Sequence, residues 1–469
     1  MSRKLKNQIV NNITIEDAAS DGKCVARWNN RVIFVGGVAP GDVVDIRITR
    51  KKRNYLEAVP EHFHHRSELR ADPFCHHFGT CGGCKWQHID YKHQLEFKRK
   101  QVIDSLERIG RLSLPEVNQT LASPDTRFYR NRLEFTFSNK RWLEPEEIQS
   151  DVTFNRNGVG FHKPGLYDKI VDIQHCSLQD EPSNTIRNSV RAFAFKHDLN
   201  FFDIQKKQGF LRNLIIRNSS IGELMVILQV AEDRAELGKI LDHLRESFPQ
   251  ITSLQYVINS KGNETFFDLP VQLHSGVEFI TESMGDLQFR IGPKSFYQTN
   301  SRQAYLMYQL VRDFAGLFGK EIVYDLYTGT GTIALFLASL ARTVVGIEQV
   351  PEAIEDARVN AGINDIANSY FYAGDTRELL SSELITRHGT PDVLITDPPR
   401  SGMHQEVVEK IIRISPKKII YVSCNPATQA RDIALLVENY QIMAVQPVDM
   451  FPHTHHVESV VLLEIKSDD

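Results

Sequence analysis

From about residue 300 onward, short apolar runs alternate with helical patterns, and this alternation constrains the fold more than any other feature of the chain. Residues 322–327, 343–348, 392–397 and 418–423 read as strands, with helical periodicity over 333–340 and 351–361 between them. Parallel strands need a crossover segment, and a helix supplies one, so the succession predicts a doubly wound α/β region. Ligands in such sheets bind outside the carboxyl ends of the strands. The residues that follow each strand are therefore the candidates for chemistry.

The first of these stretches, 323–333, spells Val-Tyr-Asp-Leu-Tyr-Thr-Gly-Thr-Gly-Thr-Ile: a strand, a glycine turn and a helix start. Gly329 and Gly331 let the backbone approach a ligand closely, and Asp325 is placed to accept a hydrogen bond from an amino group. The turn lacks the third glycine of a dinucleotide fingerprint. Glu348 ends the next strand, where it can accept bonds from both ribose hydroxyls. Asp375 follows the strand-like segment 369–374 and can reach an adenine amine. Turn, ribose acid and adenine acid in this order resemble the class I S-adenosylmethionine methyltransferases. A nucleotide-binding sheet with another ligand is the alternative at this point.

Three motifs follow. Asp397-Pro398-Pro399-Arg400-Ser401-Gly402 carries Arg400 where amine-methylating enzymes of this fold place an aromatic, which argues against methylation of an exocyclic amine. Ser423-Cys424-Asn425-Pro426-Ala427-Thr428 puts Cys424 at the ligand-bearing end of an apolar strand. A lone cysteine is usually an inert core residue, but not at that position. Phe451-Pro452-His453-Thr454-His455-His456-Val457-Glu458 reads as an ordered loop leading to a carboxylate and a last apolar strand. A surface carboxylate is the plain reading of Glu458, and metal binding the rival reading of the histidines. Together the motifs suit one reaction. A thiolate adding to carbon 6 of uracil makes carbon 5 nucleophilic, and a base must then remove the carbon 5 proton so that the thiolate can leave. Asp397 is placed to hold the polar edge of the ring. The target base must leave any RNA stack to be reached.

DLYTGTGTI, DPPRSG, SCNPAT and FPHTHHVE, in this order, resemble the RNA 5-methyluridine methyltransferase family of the bacterial uracil-C5 type. The resemblance implies Cys424 as nucleophile and Glu458 as base. It puts Gln298, in the segment Phe296-Tyr297-Gln298-Thr299-Asn300, on the cofactor, together with Tyr327, Gly329, Thr332, Glu348, Asp375 and Asp397. Many members carry another residue at position 332, and Thr328 replaces a common cysteine.

Ahead of this region the chain differs. The net charge is −4, yet residues 1–70 carry 13 Lys and Arg against 8 Asp and Glu, densest at Arg47, Arg50, Lys51, Lys52 and Arg53. RNA binding needs a local basic surface rather than a basic whole, although a charge run alone is more often a solvated loop. Strand candidates at 31–35 and 42–48, punctuated by Gly-Gly and Pro-Gly, suit a small OB-like β-barrel. Residues 91–109 read as a helix with Leu95, Val102, Leu106 and Ile109 near one face. Residues 127–290 read as an α/β middle domain with strands at 132–137, 214–217 and 223–230 and a helix at 231–247. Arg130, Arg132 and Arg217 are candidate RNA contacts there.

Cys75, Cys81 and Cys84 stand among glycines and histidines, with Cys176 far downstream. Four thiolates at such spacing suit a [4Fe–4S] cluster, with structural zinc as rival. The spacing differs from the C-x3-C-x2-C of radical enzymes. In the resembled family, members that act on 23S ribosomal RNA pair a TRAM barrel with this cysteine pattern. The resemblance therefore implies a TRAM domain over 1–62, a cluster-bearing middle domain over 63–90 and 113–295, and a methyltransferase domain over 91–112 and 296–469. Ribosomal RNA, methylated before or during subunit assembly, is the implied substrate. Transfer RNA is the alternative, as is a non-catalytic iron–sulfur protein of ribosome assembly. No apolar run is long enough for a membrane span and no apolar leader is recognisable, so a cytoplasmic monomer is expected.

Overall fold

The computed structural model describes residues 6–467, in which the chain forms two compact units. The first comprises the residues up to Gly79, Gly83–Thr126 and the chain from Ile395 on; the second comprises Thr80–Gly82 and Arg127–Leu394.

The first unit opens with the expected barrel. Its strands are β1 (Ile9–Thr14), β2 (Asp17–Ala18), β3 (Cys24–Trp28), β4 (Arg31–Val35), β5 (Val43–Lys51) and β6 (Tyr55–His65), in the order β1-β5-β6-β4-β3-β2. Alternation along β5 buries Val44, Ile46 and Ile48 against Ala26, Ile33, Val35 and Leu56. Lys51, Lys52 and Arg53 are exposed at the turn between β5 and β6, so most of the basic cluster is a hairpin tip. Asp42, fully buried, accepts from the amides of Ala39 and Ser67 and from the guanidinium of Arg70. These bonds fix how the chain leaves the barrel.

Asp90 then caps the helix Tyr91–Asp104 by accepting from the Lys92 amide, and the helix runs into a π-helical turn, Ser105–Ile109. The buried face differs from the apolar one expected. Gln94, Lys98, Val102 and Leu106 are buried, while Ile109 is 56% exposed. The i, i+4 row that points inward contains two polar side chains, and hydrophobic periodicity cannot select a row whose partners are hydrogen-bonding groups.

In the second unit, β7 (Arg132–Ser138), β8 (Gly158–His162), β9 (Ile170–Asp172), β10 (Leu211–Asn218), β11 (Leu224–Val230), β12 (Ser253–Ile258) and β13 (Gln272–Gly276) form a sheet ordered β13-β12-β11-β10-β7-β8-β9. The turn expected at 219–222 joins β10 to β11, and the helix that follows is Ala235–Ser247. Arg217 is not a free RNA contact: it is buried and donates to the carbonyls of Gly292 and Ser295. Arg132 pairs with Glu134. The hairpin β14 (Ile280–Met284) and β15 (Leu287–Ile291) precedes the helix Ser301–Ala315. Then β16 (Ile322–Leu326), β17 (Thr343–Glu348) and β18 (Ser369–Ala373) pair in parallel, as expected.

The chain passes back to the first unit within β19 (Val393–Thr396), and β20 (Lys418–Ser423), β21 (Tyr440–Val448) and β22 (Glu458–Ile465) complete it. The strand order is β18-β17-β16 in the second unit and β20-β22-β21 in the first. The expectation of parallel strands fails at its end: β22 is antiparallel to both β20 and β21. The connection from β21 to β22 is a loop without a helix, and a chain that returns without a crossover must return antiparallel. Among the described residues no helix is long and apolar enough to cross a membrane.

Candidate active site

The second unit carries the residues expected to hold the cofactor. Strand β16 ends at Leu326, and the chain turns sharply: Tyr327, Gly329 and Gly331 all have positive φ. Gly331 has a second constraint, because a Cβ there would lie 3.0 Å from Ala357 and 3.1 Å from Phe371. Thr328 donates its hydroxyl to Asp325 at 2.5 Å, and Asp325 is buried under the turn. Glu348 at the end of β17 accepts from the amides of Gly329 and Val350 at 3.1 and 3.0 Å, which fixes the acid beside the glycine turn. Thr332 opens the helix Thr332–Ala338 and shares a hydrogen bond with the Tyr308 hydroxyl at 3.3 Å. Asp375 caps the short helix Thr376–Leu379 and pairs with Arg377, so an adenine amine would share that carboxylate. Gln298 is anchored through its carbonyl, which accepts from Asn131 at 2.9 Å. An acid at the ends of both β17 and β18 around an αL glycine turn fits an adenosine ligand.

The first unit gathers Asp397, Arg400, Cys424 and Glu458, each just past or at the end of a strand. Burial pushes the Asp397 carboxyl up to about 7. Burial, with the charges of Glu458 and Asp397 adding to it, pushes the Cys424 thiol up to about 11, and Arg400 opposes the shift. The Glu458 carboxyl is held well above its usual range, first by burial and then by Asp397, again against Arg400. These four groups therefore sense one another's charge.

Local bonds explain the placement. Asn425 caps the helix Pro426–Leu436 by accepting from the Ala427 amide, with Pro426 at the first turn. Cys424 thus lies immediately before a helix N-terminus, whose dipole favours a thiolate. The Asn425 amide and the Thr428 hydroxyl donate to the Arg400 carbonyl at 2.8 and 3.2 Å, tying the Asp397–Gly402 turn to the Cys424 turn. Gly402, at φ 77°, admits no side chain, since a Cβ would lie 2.6 Å from the Asp432 carboxylate. The histidines serve the loop. His453 donates its amide to Gln94 at 2.9 Å, and its carbonyl accepts from the amides of Lys85 and Trp86. Burial, then the neighbouring His456, depresses His455 to about 3, so it is neutral at physiological pH.

Cys424 lines a cavity of about 240 Å³ with Ser20, Gln101, Ser105, Arg400, Asn425 and His455. A groove of about 270 Å³ shares Ser20, Gln101, Ser105 and Ile109 and adds Phe97, Lys100 and Arg108. Sequence reasoning missed this wall. Its one legible signal is the i, i+4, i+8 spacing of Gln101, Ser105 and Ile109, which the π-helical turn distorts.

Of the cysteines of the expected cluster, Cys75, Cys81 and Cys84 are partly exposed and Cys176 is buried. The Cys176 amide donates to Asn184, which also accepts from the buried Arg187. The donor set has the chemistry for iron or zinc, but among the described residues no group of three or more His, Cys, Asp or Glu side chains is arranged to hold a metal ion.

Residues 276–466 match the tRNA (Uracil-5-)-methyltransferase family, and residues 6–60 match the TRAM domain. An RNA methyltransferase of Bacteroides thetaiotaomicron is 58% identical over 96% of this chain and 100% of its own length. One from Porphyromonas gingivalis is 52% identical over 96% and 98%. Among solved structures, the tRNA (uracil-54, C5)-methyltransferase of Pyrococcus abyssi in complex with S-adenosyl-L-homocysteine has a TM-score of 0.75 and 30% identity, covering 96% of this chain and 99% of that one. The glycine turn with its two acids, the thiol and carboxylates at the strand ends and the N-terminal barrel thus have one origin: the chain belongs to the TRAM-containing RNA (uracil-5-)-methyltransferase family and is an S-adenosylmethionine-dependent RNA methyltransferase.

Proposed function

We propose that this enzyme methylates carbon 5 of a uridine in 23S ribosomal RNA through a covalent bond between Cys424 and carbon 6. The observation that carries the reading is the clustering of Cys424, Glu458 and Asp397 at strand ends, with Cys424 opening on a cavity. Gln298, Tyr327, Gly329, Thr332, Glu348, Asp375 and Asp397 are the proposed contacts to S-adenosylmethionine, which supplies an electrophilic methyl group when bound. Ionised Cys424 donates a sulfur electron pair to carbon 6, and the π pair of the carbon 5–carbon 6 bond moves toward carbon 5 and the carbonyl at carbon 4. Carbon 5 then bonds to the methyl carbon, whose bond to the sulfonium sulfur would break with its electron pair going to sulfur, so that S-adenosylhomocysteine would leave. Glu458 takes the proton from carbon 5, the double bond re-forms, and the sulfur–carbon bond breaks to return the thiolate. Asp397 holds the polar edge of the ring, and Arg400 is the cation that favours the ionised thiol and carboxylate.

The functional division proposed is a TRAM domain over 1–62, a middle domain over 63–90 and 113–295, and a methyltransferase domain over 91–112 and 296–469. The protein acts as a cytoplasmic monomer on RNA before or during ribosome assembly. Transfer RNA is the second reading, favoured by the Pyrococcus abyssi tRNA (uracil-54, C5)-methyltransferase, which covers 96% of this chain. Methyl transfer from labelled S-adenosylmethionine to unmodified 23S, 16S and transfer RNA separates the two. Label recovered as 5-methyluridine in 23S RNA alone is expected; label in transfer RNA alone would replace the substrate and keep the chemistry.

Cys424→Ala should abolish methylation, by 10³-fold or more on the order of a lost covalent nucleophile, while RNA still binds. Glu458→Gln should accumulate a methylated, denaturant-resistant RNA adduct on Cys424, and its absence would remove Glu458 as the base. Both groups must ionise and both are shifted upward, so the active form gains population as pH rises. The rate of adduct formation should climb about tenfold per pH unit toward the thiol value of about 11. Arg400→Met should move the profile further to alkaline pH; a profile flat above neutrality would overturn this account.

Cys75, Cys81, Cys84 and Cys176 are proposed, from their spacing and the family resemblance, to bind a [4Fe–4S] cluster. Protein purified without oxygen should then be brown and contain iron, and Cys81→Ser should lose both; colourless protein containing zinc would favour the rival metal.

A further inference from the structure

Glu458 does not reach its place by strand pairing alone. It is the first residue of β22 and lies opposite Val448, the last residue of β21, so the loop 449–457 closes directly on it. That loop is bonded to the helix Tyr91–Asp104, which is remote in sequence. Lys98, fully buried, donates to Asp449 at 2.5 Å and to the Phe451 carbonyl at 3.1 Å. Asp449 is fully buried too, and the same carboxylate oxygen accepts from the Phe451 amide at 3.0 Å. One helical turn earlier, Gln94 accepts from the His453 amide while donating to the carbonyls of Trp86 and Ile89. On the far side, the Asp449 amide donates to the Leu121 carbonyl. The stem of the Glu458 loop is therefore clamped at its first residue by an ion pair without solvent contact.

An ion pair so buried is a poor way to gain stability, because desolvating both charges offsets most of their attraction, and apolar replacements are often as stable. What it does supply is a fixed register, since a buried carboxylate tolerates only the position in which its cation meets it. We propose that Lys98 is a positioning residue for the reaction: through Asp449 and the Phe451 carbonyl it fixes the loop that sets Glu458 against the substrate carbon 5. The proposal rests on the reading of Glu458 as the base.

The test compares Lys98→Met and the double variant Lys98→Met/Asp449→Leu with wild type and Glu458→Gln, using full-length protein and an RNA that wild type methylates. The double variant removes both charges together, so it keeps the fold if the single variant does not. The expected result is a kcat lowered about tenfold or more with KM for RNA little changed. A methylated, denaturant-resistant adduct should accumulate as in Glu458→Gln, because proton removal is the step that slows. A folded variant that turns over slowly without accumulating adduct would overturn the proposal, since a general loss of structure slows every step alike. If Glu458→Gln itself yields no adduct, the base assignment fails, and the positioning role fails with it.

Discussion

Desolvation of ionisable groups is the constraint on which the active site of the first unit depends. Glu458 is buried, Asp397 and Cys424 are partly buried, and all three are pushed toward their neutral forms. A neutral thiol is a poor nucleophile and a neutral carboxyl no base. In the reaction proposed both groups must ionise, which a positive charge nearby favours. Arg400 and the N-terminal dipole of the helix Pro426–Leu436 are the compensations built into the chain. A low dielectric also strengthens whatever charges do form.

Keeping such groups buried demands a rigid frame, and each turn of the frame is held by side chains from another segment. The Arg400 carbonyl is gripped from the Cys424 turn, Gly402 fits against Asp432, and Asp432 in turn accepts from Tyr421 and the Met403 amide. The Glu458 loop is gripped from the helix Tyr91–Asp104. The π-helical turn that ends this helix lets Gly110 pack close to the Ala430 carbonyl, where a Cβ would lie 2.8 Å away. The barrel joins the same frame: Trp86 and Lys85 donate to the carbonyls of Gly22 and Asp21, and Gly22 leaves room beside His455. A domain expected to serve RNA binding is thus also part of the packing around the loop that leads to Glu458.

Family membership and substrate choice rest on different features. The uracil-5 chemistry proposed rests on Asp397, Cys424 and Glu458, which stand at strand ends. The Pyrococcus abyssi transfer-RNA enzyme covers nearly the whole chain, so possession of the barrel does not by itself decide between ribosomal and transfer RNA. Ser20, Gln101 and Ser105 line the cavity beside Cys424.

The sequence by itself determined the sheet class, the glycine turn and the acids at the ends of β17 and β18, and it singled out Cys424 and Glu458 as the nucleophile and base now proposed. Each is a local matter of residue type at a strand end, readable from periodicity and motif. Only the tertiary structure decided which face of the helix Tyr91–Asp104 is buried, that Arg217 is enclosed, and that β22 returns antiparallel between β20 and β21. Polar residues carry no sign in the sequence that they will be buried; Lys98 and Gln94 look like solvent-facing residues until Asp449 and His453, some 350 positions away, are brought to them. A buried polar group is specified by its partner, and the partner exists only once the chain has folded.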